Sequence, residues 1–312
     1  MKNYDILSKE DMKKEKWAFS PILVPNNRER IDITEQQSIK FAKKHNTCVI
    51  RWPVSIKANS WKGKPNNSDE IKKNDPCFWQ YFVRGATGYV LTNVNVNAYI
   101  ANGTECKCHS LTLPSQKKTK WLREQLKTQM HGSIISLDFA PYSVNVELFC
   151  KDKKKLKNWK RESLVKDKVV IPLTSTTGSS RKYNRVWVKG CNNYNWGPSK
   201  VEVKYIIPFE LGFSMTLHKA QGRTLDSIIL CLSKHPKKPI TYQGLFVAMS
   251  RVKKGGDIRL LLKDKNHNSN DIQYITELRQ PECIKQFFNC FRTSGEKFNP
   301  SIAYRMFSRQ RP

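Results

Sequence analysis

Phe213-Ser214-Met215-Thr216-Leu217-His218-Lys219-Ala220-Gln221-Gly222-Arg223-Thr224-Leu225-Asp226, running on into Ser227-Ile228-Ile229-Leu230, decides the reading of this chain. An apolar strand enters a polar turn that combines a hydroxyl, an imidazole, a lysine and an amide with one glycine, and a second apolar strand follows. The pattern predicts a strand-to-helix turn opened by Gly222. Without a Cβ in the way, backbone N–H groups of such a turn can face phosphate oxygens. Thr216 and His218 are short donors suited to a nucleic-acid backbone, a contact that positions a strand without reading its sequence.

Working outward, Phe246-Val247-Ala248-Met249-Ser250-Arg251-Val252 lies beyond the strand at 228–232 and before another at 258–262. Strands alternating with a helix-like stretch argue for an α/β unit. Upstream, Pro21-Ile22-Leu23-Val24 reads as a buried strand, and Asp32 with Glu35 fits a capping box for a helix through Ile39, Phe41 and Ala42. Strand-like runs follow at 78–83 and 88–93, with Asn102-Gly103 as a turn. A helix is expected from Ser115 to Met130 with Gly132 at its C′ position. Short strands between 133 and 207, at 134–135, 144–148, 169–171, 185–188 and 201–203, suggest a small barrel or sandwich. The stretch 57–75 reads as an exposed loop, and 270–306 as two helices with Pro281 opening the second.

The first segment resembles motif V of superfamily 1 DNA helicases in the Pif-type and RecD-like branch, which reads T-x-H-K-x-Q-G-x-T-L-D. It agrees in register at Thr216, His218, Lys219, Gln221, Gly222, Thr224, Leu225 and Asp226. The second resembles motif VI, Y-V-A-L-S-R, with Phe246 for Tyr and Met249 for Leu. Ile22-Leu23-Val24-Pro25-Asn26-Asn27-Arg28 is similar to the motif IV region, where Arg28 either approaches the nucleotide or is an exposed cap residue. Gly88-Tyr89-Val90-Leu91-Thr92-Asn93 followed by Ile100-Ala101-Asn102-Gly103-Thr104-Glu105 is similar to the entry into the family's 2B insertion, and Val203-Lys204-Tyr205-Ile206-Ile207-Pro208-Phe209 to its return strand.

The resemblance implies an α/β, RecA-like P-loop NTPase-type domain (2A) with a small β-barrel-like, SH3-like insertion. Residues 1–95 and 205–312 would form domain 2A, the latter with a helical tail, and 96–204 the 2B-like insertion. Arg251 would be an arginine finger at the ATP γ-phosphate, since a planar cation stabilises charge that develops on phosphoryl oxygens. Gln221, Gly222 and, less directly, Arg28 would also face ATP with its Mg2+, while Thr216, His218, Lys219 and Asn93 would lie along DNA. A complete motor also needs the loop G-x-x-x-x-G-K-[ST]. The only Gly-Lys here, Gly63-Lys64, has Ala58 where the first glycine belongs and Pro65 after it, and Asp69-Glu70 lacks an apolar strand before it. ATP would therefore be held fully only together with an N-terminal domain 1A. The expectation is the C-terminal motor half of an ATP-dependent, 5′-to-3′ helicase acting in repair, recombination or telomere maintenance. A non-catalytic, nucleic-acid-binding remnant, from a mobile element for example, is the alternative.

Composition points the same way. The 312 residues hold 56 Lys+Arg against 26 Asp+Glu, a net charge of +30 that favours a polyanionic partner. Single-stranded DNA or DNA junctions are expected. Residues 151–168 carry nine basic and three acidic side chains around Trp159, which reads either as a mixture able to stack bases and track phosphates or as a solvated loop. Nine cysteines at irregular spacing and a charged N-terminal stretch argue against a secreted disulfide scaffold. Cys106-x-Cys108-His109 lacks the fourth ligand of a structural zinc site, so no metal is expected. No apolar run approaches the roughly 20 residues of a bilayer span. The nucleus is the expected compartment, with mitochondrion or bacterial cytoplasm as alternatives.

Overall fold

The computed structural model describes residues 7–56, 72–98, 100–149, 157, 159, 160, 163–165, 168–175, 183–188, 199–204, 207–232, 240–261, 274–282, 284, 285, 300 and 301, with backbone alone at 55, 56, 183–188 and 199–204. The architecture is mixed α/β, in two compact units: Lys9–Thr216, and Met1–Ser8 with Leu217–Pro312.

In the larger unit, α1 (Glu15–Ala18) precedes β1 (Ile22–Val24) and α2 (Asn27–Lys44). Asn26, in extended backbone, accepts the Glu29 N–H at 3.0 Å and so starts α2. The helix thus begins earlier than the Asp32 cap expected from sequence; Asp32 sits inside it and pairs with Arg28 at 3.1 Å. The early start has a packing reason. It brings the first turns of α2 against β13 (Ser214–Thr216), where Ser214 Oγ donates to Arg30 O at 2.6 Å and lies 2.9 Å from Thr34 Oγ1. β1 and β13 pair in parallel, Ile22 with Ser214 and Val24 with Thr216. The residues of β1 are all buried, as a strand covered on both faces must be.

The remaining strands of this unit form three antiparallel or mixed sheets. β2 (Val49–Pro53) lies between β4 (Trp79–Val83), antiparallel, and β7 (Ile134–Ser136), parallel. β3 (Ser55–Ile56) pairs with β11 (Ser199–Lys204), which also pairs with β10 (Tyr183–Val188). The third sheet has five strands in the order β12-β5-β6-β8-β9, from β5 (Thr87–Val90), β6 (Glu105–Thr112), β8 (Ser143–Leu148), β9 (Val170–Thr174) and β12 (Phe209–Leu211). It takes in β5 and β12 from outside 96–204, while β7, β10 and β11, from inside that segment, pair elsewhere. The expected strands are present, but their partners cross both boundaries drawn from the sequence. Gly88 permits the β5–β12 pairing, because a Cβ there would fall 2.3 Å from Phe209 Cε2 and 2.8 Å from Glu210 O.

α3 (Gln116–Thr128) is capped by Ser115, whose Oγ accepts the Lys118 N–H at 3.3 Å. It ends sooner than expected, at an extended Gln129; Gly132, with φ 87°, belongs to the next turn and donates to Thr47 O at 2.8 Å. Trp159 is not a base platform: it is 4% exposed and its indole N–H donates to Ala98 O. Asp75, expected in an exposed loop, is buried; residues 57–71 of that loop lie outside the described residues.

In the smaller unit, β14 (Ile228–Cys231) is fully buried and parallel to β15 (Ile258–Leu261), with α4 (Tyr242–Met249) between them in sequence, a βαβ connection. Helical turns recur at 274–276 and after Pro281, whose carbonyl accepts from Ile284 and Lys285; the rest of 270–306 lies largely outside the described residues. Among the described residues no helix is long and apolar enough to cross a membrane.

Candidate functional site

The chain passes from the larger unit to the smaller between Thr216 and Leu217. Thr216 closes β13 and is half-buried. The helix expected next is only a 3₁₀ segment, Leu217–Ala220, with Leu217 and Ala220 buried, Lys219 half-buried and His218 exposed. The Gln221 N–H reaches His218 O at 3.3 Å and the Arg223 N–H reaches Ala220 O at 3.1 Å, after which the chain heads into β14. At four residues the segment has the length at which 3₁₀ turns serve as connectors.

Gly222 sits at φ 77° with no atom within 4 Å of where a Cβ would be, and Gln221 beside it is exposed. The glycine thus serves backbone conformation and leaves open space above the turn. Gly222→Ala is expected to cost about 1–2 kcal/mol from left-handed strain alone, and Gly222→Asn less, because Asn tolerates that region. Denaturant unfolding of both variants checks this, and a neutral alanine would show that the turn does not hold a positive φ in solution.

α4 is capped by Thr241, whose Oγ1 accepts the Gly244 N–H at 3.1 Å. Gly244 and Ala248 are its buried residues, one turn apart on the same face. A Cβ at 244 would lie 3.4 Å from Leu217 Cδ1, so the small residue lets α4 rest on the 3₁₀ segment. Arg251 follows the helix end. Its Nε donates to Val247 O at 2.8 Å, Nη2 to Ser250 Oγ at 2.8 Å and Nη1 to Arg223 O at 3.3 Å, and the Leu225 N–H returns to Arg251 O at 2.8 Å. Among the described residues no carboxylate pairs with this guanidinium. Neutral oxygens near a helix C-terminus favour a cation and fix its plane.

The structure therefore brings Gln221, Gly222 and Arg251 into one patch of the smaller unit, with His218 and Lys219 one turn before. Arg28 and Asn93 belong to the larger unit. Arg28 is held by both oxygens of Asp75 at 2.7 Å and by Asp32 at 3.1 Å. Burial works against its charge, but the hydrogen bond and charge of Asp75, helped by Asp32, win and raise its pKa. It is an ion-paired helix residue rather than an exposed cap. Asn93 is exposed and its Oδ1 accepts the Asn102 N–H at 3.1 Å, bracing the turn at Gly103, whose φ is 95°.

Sequence reasoning missed that the carbonyl of Arg223 and the N–H of Leu225 hold Arg251. Backbone acceptors leave no signature in side-chain identity. Cys106 and Cys108 are buried, and burial, with Glu105 adding to it, pushes the Cys106 thiol up to about 12. No group of metal-binding side chains forms among the described residues.

No family model and no curated protein matches this chain. Among solved structures, it is similar to a Bacteroides Pif1 helicase in complex with ADP-AlF3 and ssDNA, with 13% identity, 94% of this chain and 52% of that one covered, and a TM-score of 0.43. It is also similar to a Bacteroides Pif1 bound to ssDNA, with 12% identity, 95% and 49% covered, and a TM-score of 0.43. A Pif1 helicase from Candida albicans gives 13% identity, 88% and 55% covered, and a TM-score of 0.38. The chain spans about half the length of each.

Proposed function

We propose that this chain is the C-terminal motor half of an ATP-driven, 5′-to-3′ DNA helicase of the Pif-type branch of superfamily 1. The observation that carries the reading is the pair of hydrogen bonds joining Arg251 to Arg223 and Leu225. Two segments that resemble motifs V and VI, far apart in sequence, hold each other, as a nucleotide wall requires. On this reading 1–95 and 205–312 form a RecA-like domain 2A and 96–204 a 2B-like, SH3-like insertion, three of whose strands share the five-stranded sheet with β5 and β12 of domain 2A.

The residues present fit a nucleotide phosphate: an open turn at Gly222, an exposed Gln221 and a guanidinium held by neutral oxygens. ATP with Mg2+, completed by a Walker A-bearing domain 1A, would supply the phosphoryl transfer that drives movement. Gln221 and the Gly222 turn orient the phosphates, and Arg251 offers its remaining donors to developing charge. Thr216, His218 and Lys219 contact the phosphates of single-stranded DNA, in line with the +30 charge. Arg28 and Asn93, engaged as described, have no part in this reading. Junction binding, a nuclear compartment and roles in repair, recombination or telomere maintenance extend the proposal.

The reading predicts that the chain binds single-stranded oligonucleotides with little sequence preference, with affinity falling steeply as salt rises. Lys219→Ala should weaken binding uniformly across sequences and lower the salt slope by about one. Fluorescence anisotropy at several salt concentrations measures both. Salt-insensitive binding, or a Lys219→Ala variant with unchanged slope, would count against DNA passing over this loop.

A further inference from the structure

A groove of about 440 Å³ opens in the larger unit, between three walls that strand and helix periodicity bring together. One wall is a face of the β2–β4 pair. Ile50 lies opposite Phe82, and Cys48 and Arg84, each two residues away along its own chain, point to the same side. The second wall is α3, whose Thr119, Leu122, Arg123 and Leu126 follow the i, i+3, i+4, i+7 spacing of a single helix face. The third is β6, which carries a bulge. Cys108 pairs with Val146 and Ser110 with Asn145, so His109 is an extra residue that shifts the alternation and leaves His109, Leu111 and Leu113 on the groove.

The charge inside this groove has one sign: Arg84, His109 and Arg123 line it, and no Asp or Glu does. Both arginines are exposed, and among the described residues neither pairs with a carboxylate. Ser110 Oγ accepts from Asn145 Nδ2 at 3.1 Å and lies 3.1 Å from His109 Nδ1, which leaves the hydroxyl proton for that ring nitrogen. The neutral imidazole then carries its proton on Nε2 and is a donor whether charged or not. Asn46 and Thr47 add an amide and a hydroxyl whose side chains make no hydrogen bond among the described residues. Two guanidinium forks and an imidazole donor suit a doubly charged phosphate monoester. An apolar floor with a few polar groups in a space of this size suits one organic ligand. An alkyl chain would leave the amide and hydroxyl idle, and a stacked strand would need an open ring, whereas Phe82 is 3% exposed. We propose that the groove binds a single nucleotide by its terminal phosphate. Arg84, Arg123 and His109 hold the phosphate, Leu111, Leu122 and Leu126 support the base, and Asn46 and Thr47 meet its polar edge. The site belongs to the larger unit and does not rest on the helicase reading.

The test is equilibrium dialysis of the full chain against radiolabelled thymidine 5′-monophosphate, with inorganic phosphate and thymidine as separate competitors. The monophosphate should bind more tightly than either competitor, because the groove engages both of its parts. The double variant Arg84→Gln/Arg123→Gln should weaken it about tenfold or more. Lys117→Gln/Lys120→Gln removes the same charge from α3 at positions that do not line the groove, and should leave binding unchanged. Thr119→Trp fills the groove at constant charge and should block binding, with the thermal midpoint of each variant as the check on its fold. The arginines are exposed, so their replacement tests the site even where the tryptophan variant fails to fold. Stronger competition by 5′-phosphorylated oligo-dT than by its hydroxyl-ended twin would assign the site to a strand end, and equal competition by the two to a free nucleotide. Equal losses in the two double variants, or a monophosphate held no better than phosphate alone, would overturn the site. Arg251→Ala should leave the titration unchanged; loss of binding there would put the nucleotide in the patch around Gly222 and overturn the groove while favouring the helicase reading.

Discussion

Arg251→Ala, in a polypeptide that joins this chain to a Walker A-bearing domain, is expected to lower ATP turnover roughly 10³-fold while leaving affinity for single-stranded DNA unchanged. A group that meets charge only in the transition state affects the rate rather than the binding of either ligand. Arg251→Lys should fail nearly as badly. The guanidinium reaches Val247 O, Ser250 Oγ and Arg223 O at once and still has donors to spare, whereas an ammonium is a point charge on a flexible stem. A simpler role, a surface ion pair worth about 0–1 kcal/mol, has no partner among the described residues. The structure adds one control. Because Arg251 also braces Arg223 and Leu225, circular dichroism and DNA affinity of each variant must match the parent before turnover is compared. Near-normal turnover in Arg251→Lys, or parallel loss of DNA binding and turnover, would sink the finger assignment.

Gln80→Met is expected to destabilise the larger unit by about 3 kcal/mol or more, although methionine nearly conserves volume. Gln80 is 3% exposed and ties three elements together. Its Oε1 accepts from Trp52 Nε1 at 3.1 Å and from the Ile207 N–H at 3.2 Å, while its Nε2 donates to Ile207 O at 2.8 Å. Removing the amide leaves an indole N–H, a backbone N–H and a carbonyl buried in contact with a thioether, each costing about 1–3 kcal/mol. Trp52→Phe added to Gln80→Met should recover part of the loss, because a buried donor without a partner is worse than none. Urea unfolding reports it as a lower midpoint at unchanged slope. A loss under about 1 kcal/mol would mean that water reaches these groups and that Ile207 is not locked to β4.

Much of the candidate site was legible in the residues. The order strand, polar turn, strand around Gly222, the helix just before Arg251 and the strands at 22–24, 144–148 and 228–231 all follow from apolar runs and turn residues. So does the polyanion-seeking charge. These signals are local, and local physics produces them: alternation, glycine at positive φ and side-chain caps act within a few residues. Even there, the pattern placed the cap at Asp32, whereas α2 starts after Asn26 and sets its first turns against Ser214 on β13.

The tertiary structure alone decided which strands are neighbours. Periodicity says which face is buried but never names a partner, so β5 and β12 joined a sheet that the sequence confined to 96–204, and β7 left it for β2. It decided that Trp159 is core and that Arg28 is spent on Asp75. It also placed Arg251 against the carbonyl of Arg223. Residue types determine what a side chain can bond, but every residue offers the same backbone oxygen, so only the folded chain selects which one it meets.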